Sequence, residues 1–243
     1  MMLMPLQGQT KRAASTGEPA SGVRFVVCSP AGIEFPSRLF VRRAQEFVPI
    51  NIGSRTPSER VAPVGGKVEF WKQNPNPAAG TKDKKAKNVK IPKADFSVSV
   101  PGSADDKKIC ILTPKSDINK TSTIFFSESD FPRKGMHLIN LSSYPLQIIT
   151  STDISFKEST KDDINPYRSD AGIKKSCWSF KGNKGQQVAF ILKYGEPGTK
   201  PSKQFKTSNF VLSDRQSIIN LVVKDPKTKK PKLFTIQVTQ NKG

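Results

Sequence analysis

Short apolar runs, rich in Val, Ile and Phe and cut off repeatedly by Pro, Gly, Asn and Ser, dominate this chain. None of them continues at the 3.6-residue spacing that lays an apolar stripe along a helix. The pattern therefore predicts strands throughout the body. Gly22–Cys28, Arg38–Arg42 and Glu46–Ile52 open the series, followed by Lys67–Lys72 between Gly65-Gly66 and Asn74–Pro77. Phe96–Val100 alternates cleanly, so one of its faces should be wet, whereas Lys108–Thr113 is apolar on both faces, as a central strand would be. Ser122–Ser127 comes next. Met136–Leu141 and Leu146–Ile149 then read as a hairpin about the turn Ser142–Pro145. Ile154–Phe156 is a short further candidate. Trp178–Lys181 and Gln187–Tyr194 read as a hairpin about Gly182–Gly185, and Ser217–Val223 and Leu233–Val238 flank the turn that starts at Asp225.

Strands without helices predict an all-β fold. Residues 22–240 exceed the roughly 100 residues of one seven-stranded immunoglobulin-like sandwich. The expected layout is two antiparallel β-sandwich units, over residues 22–113 and 121–243, joined near Thr113–Lys120. One large β-sandwich with long loops is the competing layout. Residues 1–21 read as a disordered leader. Met1–Gln9 has a short apolar core but no basic residues ahead of it, as in the remnant of a signal or a tag junction.

Charge bounds the partners. Forty Lys plus Arg face 20 Asp plus Glu, a formal net charge of +20. Such a chain attracts polyanions over about one Debye length, roughly 8 Å at physiological salt. Lys outnumbers Arg by 30 to 10. Bidentate readout of phosphate or guanine favours the planar Arg fork, so a Lys-dominated charge disfavours specific nucleic-acid recognition. Two tracts concentrate the lysines: Lys82, Lys84, Lys85, Lys87, Lys90 and Lys93, then Lys224, Lys227, Lys229, Lys230 and Lys232. Each lies between strands. Such loops supply solubility and blunt sheet edges; read more sharply, they are contact patches for an anionic partner, and they form one surface only if they share an end of the fold.

Reactive chemistry finds little support. A Ser-His-Asp arrangement would have to use His137, the single histidine, which falls on a strand. Cys28, Cys110 and Cys177 lie in apolar runs with no Cys-x-x-Cys spacing, as small buried hydrophobes do; one disulfide plus a free thiol is also compatible with the spacing. That inventory does not suggest a zinc site, and no other metal or cofactor is expected. Carboxylate pairs can hydrolyse glycosides without histidine. The acidic residues Asp105, Asp106, Glu128, Asp130, Glu158, Asp162, Asp163 and Asp170 fall in polar contexts typical of turns. Gly182–Gly185 lacks the following helix that a phosphate loop needs. Trp71 and Trp178 read as core residues.

Phe126-Ser-Glu-Ser-Asp-Phe131-Pro-Arg-Lys-Gly135-Met-His-Leu-Ile-Asn140-Leu-Ser resembles a recurring segment of uncharacterised bacterial envelope proteins rich in β-structure, in which a Phe-Pro-x-x-Gly turn leads into a strand ending Asn-Leu-Ser/Thr. The resemblance implies an extracytoplasmic β-sandwich, in the periplasm or at the cell surface, with no established activity. Read from its own residues, Asn140 needs hydrogen-bond partners if buried, and its amide should bond the neighbouring loop. Together these readings lead to a non-enzymatic structural or adhesive protein of a bacterial cell envelope. Its partners would be an anionic glycan or envelope polymer, and other envelope or pilus-like proteins. A carboxylate-based glycan hydrolase and a nonspecific nucleic-acid binder are the alternatives.

Overall fold

A computed structural model describes residues 19–44, 46–75, 92–103, 105–115, 118–131, 134–168 and 176–239. Residues 1–18, most of the expected leader, lie outside the described residues, as do Lys82, Lys84, Lys85, Lys87, Lys90 and Asp170. The fold is all-β. Seven strands form the first half: β1 (Gly22–Val27), β2 (Arg38–Arg43), β3 (Glu46–Asn51), β4 (Lys67–Phe70), β5 (Phe96–Ser99), β6 (Lys107–Thr113) and β7 (Ser122–Ser127). Eight form the second: β8 (Gly135–Asn140), β9 (Leu146–Ser151), β10 (Thr160–Ile164), β11 (Cys177–Lys181), β12 (Gln187–Tyr194), β13 (Lys203–Val211), β14 (Gln216–Lys224) and β15 (Pro231–Thr239).

Four layers result. The ribbons β2-β3 and β4-β5, joined where Phe40 and Trp71 exchange backbone hydrogen bonds, make the outer layer of the first half. They pack on the sheet β1-β6-β7, enclosing Phe25, Leu39, Ile50, Phe70, Phe96 and Leu112. In the second half, the sheet β11-β8-β14-β15 packs on β10-β9-β12-β13, enclosing Met136, Leu138, Leu146, Ile148 and Leu192. A third apolar interior joins the halves. Val26, Cys28, Ile109, Ile111 and Phe126 face Ile139, Ile219, Leu221, Val223, Ile236 and Val238, with Phe131 among them.

That middle interior explains the sequence. β1, β6, β8 and β14 have both faces covered, so they read as continuous apolar runs rather than alternating ones. The two parallel pairings among the described residues, β1 with β6 and β8 with β14, fall among these strands. The other pairings among the described strands are antiparallel. By contrast β5 alternates buried and exposed, as its sequence predicts. β7 pairs with β6, so residues 122–127 complete the sheet of β1 and β6.

Gly22 permits a close approach that no other residue would. Its φ is +120°, and a Cβ there would lie 2.4 Å from the Val61 carbonyl oxygen. The absence of a side chain lets Val61 exchange two 2.8 Å backbone bonds with Val23, covering the outer edge of β1. Arg60, beside it, pairs with Glu128 at 3.0 Å in the turn that leads out of β7. The loop around β1 is thereby pinned to the junction between the halves.

Three expectations are corrected. β8 and β9 form no hairpin: they lie in opposite sheets, and residues 141–145 turn the corner of the sandwich. Asn140 holds that corner, as discussed below. Likewise β11 and β12 lie in opposite sheets. Ile154–Phe156 is not a strand, because Asp153 captures the backbone N–H and hydroxyl of Ser155 and its own carbonyl accepts from Phe156, closing a turn.

Candidate anion-binding site

The second lysine tract forms the tip of the β14–β15 hairpin, and its shape follows from Asp225. The Asp225 Oδ1 accepts the backbone N–H groups of Lys227 at 2.8 Å and Thr228 at 3.3 Å. Its N–H donates to Lys230 O and its carbonyl accepts from Lys229 N, each at 2.9 Å. The N–H of Lys227, above all, holds the Asp225 carboxyl below the usual carboxylate range. The one acid in the tip is thus turned inward to build the turn. Lys224, Lys227, Lys229, Lys230 and Lys232 are all exposed around it. Lys229 takes a left-handed conformation, φ 57°, and its carbonyl accepts the Tyr144 hydroxyl.

Aromatic rings brace the flanks. Lys224 Nζ lies 5.5 Å from the Tyr144 ring centre, and Lys232 Nζ 5.3 Å from that of Phe234. Tyr144 meets Tyr194 edge-on at 5.5 Å, and Lys203 Nζ lies 6.0 Å from the Tyr194 ring. Lys203, on β13, is thereby added to this cationic end. Sequence reasoning missed it because β13 is too polar to register as a strand. Both tyrosines are buried, so they position cations and offer no open stacking surface.

Of the first tract only Lys93 is described; it is exposed. Both roots of the 72–95 connection are anchored. Trp71 Nε1 donates to Pro92 O at 3.0 Å, and Lys72 N–H to Asp95 Oδ2 at 2.7 Å. These roots share an end of the molecule with the hairpin tip. Lys72 lines a cleft with Pro114 and Lys115, just beyond the end of β6. At the neighbouring end of β1, Cys28 N–H bonds Leu112 O and its thiol feels the charge of Lys232.

The remaining candidates have structural work. His137 is fully buried; its Nδ1 lies 2.8 Å from Ser179 Oγ, and Phe131 meets its ring edge-on at 5.2 Å, a brace between β8 and β11. Cys177 Sγ is 3.7 Å from the same Ser179 hydroxyl, but burial pushes its thiol pKa up, which keeps it protonated and a poor nucleophile. Among the acids, Asp106 pairs with Lys108 at 2.7 Å, Glu128 with Arg60, Asp162 with the Trp178 indole at 2.9 Å and Asp163 with Gln147 at 3.0 Å. Two carboxylates absent from the sequence reading, Glu69 and Asp95, line one shallow cleft with Lys93, and Asp95 is committed to the Lys72 backbone. Among the described residues no group of three His, Cys, Asp or Glu is placed to hold a metal ion.

The three cysteines are free thiols. Burial pushes Cys28 up to about 12, with Lys232 pulling slightly the other way, and raises Cys110 as well. A thiol whose pKa is raised by folding adds no pH dependence below the unfolded value. Above it the unfolded chain ionises first, so stability falls as pH climbs towards the folded value. The fall attributable to Cys28 runs from pH 9.0 to about 12. Urea melts at pH 8 to 11 should therefore show a shallower alkaline loss for Cys28→Ala than for the wild type; parallel losses would contradict the burial assignment.

No known family model matches this chain, and no curated protein matches it at a significant level.

Proposed function

We propose that this protein is a non-enzymatic binding or assembly module of a bacterial cell envelope, whose lysine-bearing end holds an anionic glycan or envelope polymer. The observation that carries the reading is the β14–β15 tip. Five lysines surround a turn whose only acid is consumed by its own backbone, and buried Tyr144 fixes the turn from behind. A rigid array of ammonium groups attracts a polyanion without the entropy cost of ordering a loose loop. Lysine supplies point charges rather than forks, which suits a sulfated or carboxylated polymer better than base readout. The anchored roots at Trp71 and Lys72 add Lys72 and Lys93 to the same end.

An extracytoplasmic location rests on the resemblance of residues 126–142 to envelope proteins. No helix among the described residues is long and apolar enough to cross a membrane. The non-enzymatic part of the reading is supported by the hydrogen bonds and ion pairs that commit His137, Asp106, Glu128, Asp162 and Asp163 to structure.

Binding of a heparin-derived oligosaccharide across a salt series tests the proposal. Affinity should fall steeply as salt rises. The triple variant Lys227→Glu, Lys229→Glu, Lys230→Glu should weaken binding on the order of a hundredfold, taking about 1 kcal/mol per basic residue at an anionic surface. Lys181→Glu, Lys184→Glu, Arg215→Glu, an equal charge change elsewhere, should cost far less. Equal losses from both variants, or equal affinity for DNA, would reduce the interaction to bulk charge.

A further inference from the structure

The two flanks of the second sandwich differ. On one, the edge strands β10 and β11 are tied together by the bond from Trp178 to Asp162. On the other, the edge strands β13 and β15 stand apart, with a cleft of about 500 Å³ between them. Phe190, Phe205, Phe210, Ile218 and Leu233 give it an apolar side, and polar residues of β13 and β15 supply the rest of the lining. Asn220, only 2% exposed, lines it too. The Asn220 Oδ1 accepts the Thr235 hydroxyl at 2.8 Å, but its Nδ2 is buried with no partner. Turning the amide over only exchanges which of its two atoms is left wanting. A buried polar atom without a partner carries a standing cost, which a small turn of the amide towards an occupant of the cleft would remove.

The rims add two further features. β13 pairs with β12 alone, so one edge of the nine-residue strand Lys203–Val211 has no strand beside it among the described residues. Lys206 lines the cleft from β13, and Lys232 from β15. Edge lysines by themselves are a common guard against aggregation. They do not account for an aromatic lining or for an orphaned amide within it.

We propose that this cleft receives an extended, acidic segment of a partner protein, added as a strand beside β13. An extended chain meets every feature at once. Its backbone offers both N–H and C=O groups, to the free edge of β13 and to Asn220 in either amide orientation. Side chains alternate along it, so one set enters between Phe205 and Leu233 while the other meets Lys206 and Lys232. An anionic glycan answers the lysines but leaves the ladder edge unpaired. Lys232 belongs to both surfaces, but this assignment otherwise uses the flank of the sandwich and a different class of partner, so Lys206 and Asn220 on one side and Lys227, Lys229 and Lys230 on the other tell the two apart.

Twelve-residue peptides selected from a random displayed library against the full chain test it, with amide hydrogen exchange and affinity as readouts. Selected peptides should alternate apolar and acidic residues and slow exchange along β13. N-methylating alternate peptide residues should abolish binding. The exposed-site double variant Lys206→Glu, Lys232→Glu should weaken it at least tenfold. Asn220→Leu should weaken it several-fold while unfolding at the same or a higher urea concentration, a combination that a purely structural asparagine would not give. The tip variant Lys227→Glu, Lys229→Glu, Lys230→Glu should leave peptide binding within about threefold, so the two proposals fail separately. Three results would overturn the assignment: no selected peptide that protects β13, binders indifferent to the Lys206/Lys232 variant, or a heparin-derived oligosaccharide that protects β13 as well as any peptide.

Discussion

Asn140→Leu should destabilise the protein by about 3–9 kcal/mol, although leucine has the same number and branching of side-chain heavy atoms as asparagine. Asn140 is completely buried at the end of β8. Its Nδ2 donates to Tyr144 O at 2.8 Å and to Ile164 O at 3.2 Å, and its Oδ1 accepts Ser142 N–H at 3.1 Å and Ser142 Oγ at 2.6 Å. Leucine would orphan two carbonyls and an N–H inside the corner, at roughly 1–3 kcal/mol for each buried group left unmade. Urea denaturation measures the loss, and a cost under about 1 kcal/mol would mean that the corner is held by packing alone. Because the same corner positions Tyr144 behind Lys229, the variant should also loosen the lysine tip. The opposite sign expected for Asn220→Leu makes the pair informative. Both asparagines are buried on strands of one sheet, but only Asn140 is fully satisfied.

Phe131→Ala should cost about 3–5 kcal/mol, the usual range for deleting a buried aromatic ring. Phe131 is 1% exposed and lies in the middle interior, edge-on to Phe126 at 5.8 Å and to His137 at 5.2 Å. Its carbonyl also accepts the Ser217 hydroxyl at 3.2 Å. The ring touches strands of both halves, so the cavity should weaken both together. The chain carries its own reporters, Trp71 in the first half and Trp178 in the second. In Trp71→Phe and Trp178→Phe backgrounds, the remaining tryptophan should report the same shift of the urea midpoint. A shift seen by Trp178 alone would show that the middle interior does not couple the halves.

The interior strands were legible because burial on two faces writes an unmistakable run of β-branched and aromatic residues. Lys108–Thr113, read as central, is the middle strand of its sheet, and Phe96–Val100, read as half-wet, alternates as expected. The edge strands were not legible. Thr160–Ile164 is almost wholly exposed, and Lys203–Val211 mixes lysines with its two phenylalanines, so neither shows an apolar run. Their pairing comes from neighbours whose positions only the fold supplies. The false hairpins have a related cause. A tight turn between two strands looks the same in sequence whether the chain stays in one sheet or crosses to the other; at Ser142–Pro145 the buried amide of Asn140 decides it. Local features of the candidate site were visible as well, including the Lys224–Lys232 tract and the need of Asn140 for partners. Invisible were the contributions that arrive from distant strands: Tyr144 behind Lys229, Lys203 beside Tyr194, and the placement of Lys72 and Lys93 relative to the hairpin tip.

The most direct test of the account follows amide chemical shifts, residue by residue, while a heparin-derived hexasaccharide is added to the isotopically labelled protein. The shifts should concentrate on Lys224–Lys232, Tyr144 and Lys203, with Lys72 and Lys93 joining them, and raising the salt concentration should reverse them. Shifts centred instead on Lys181, Lys184 and Arg215 at the far end, or spread evenly over every exposed lysine, would contradict it.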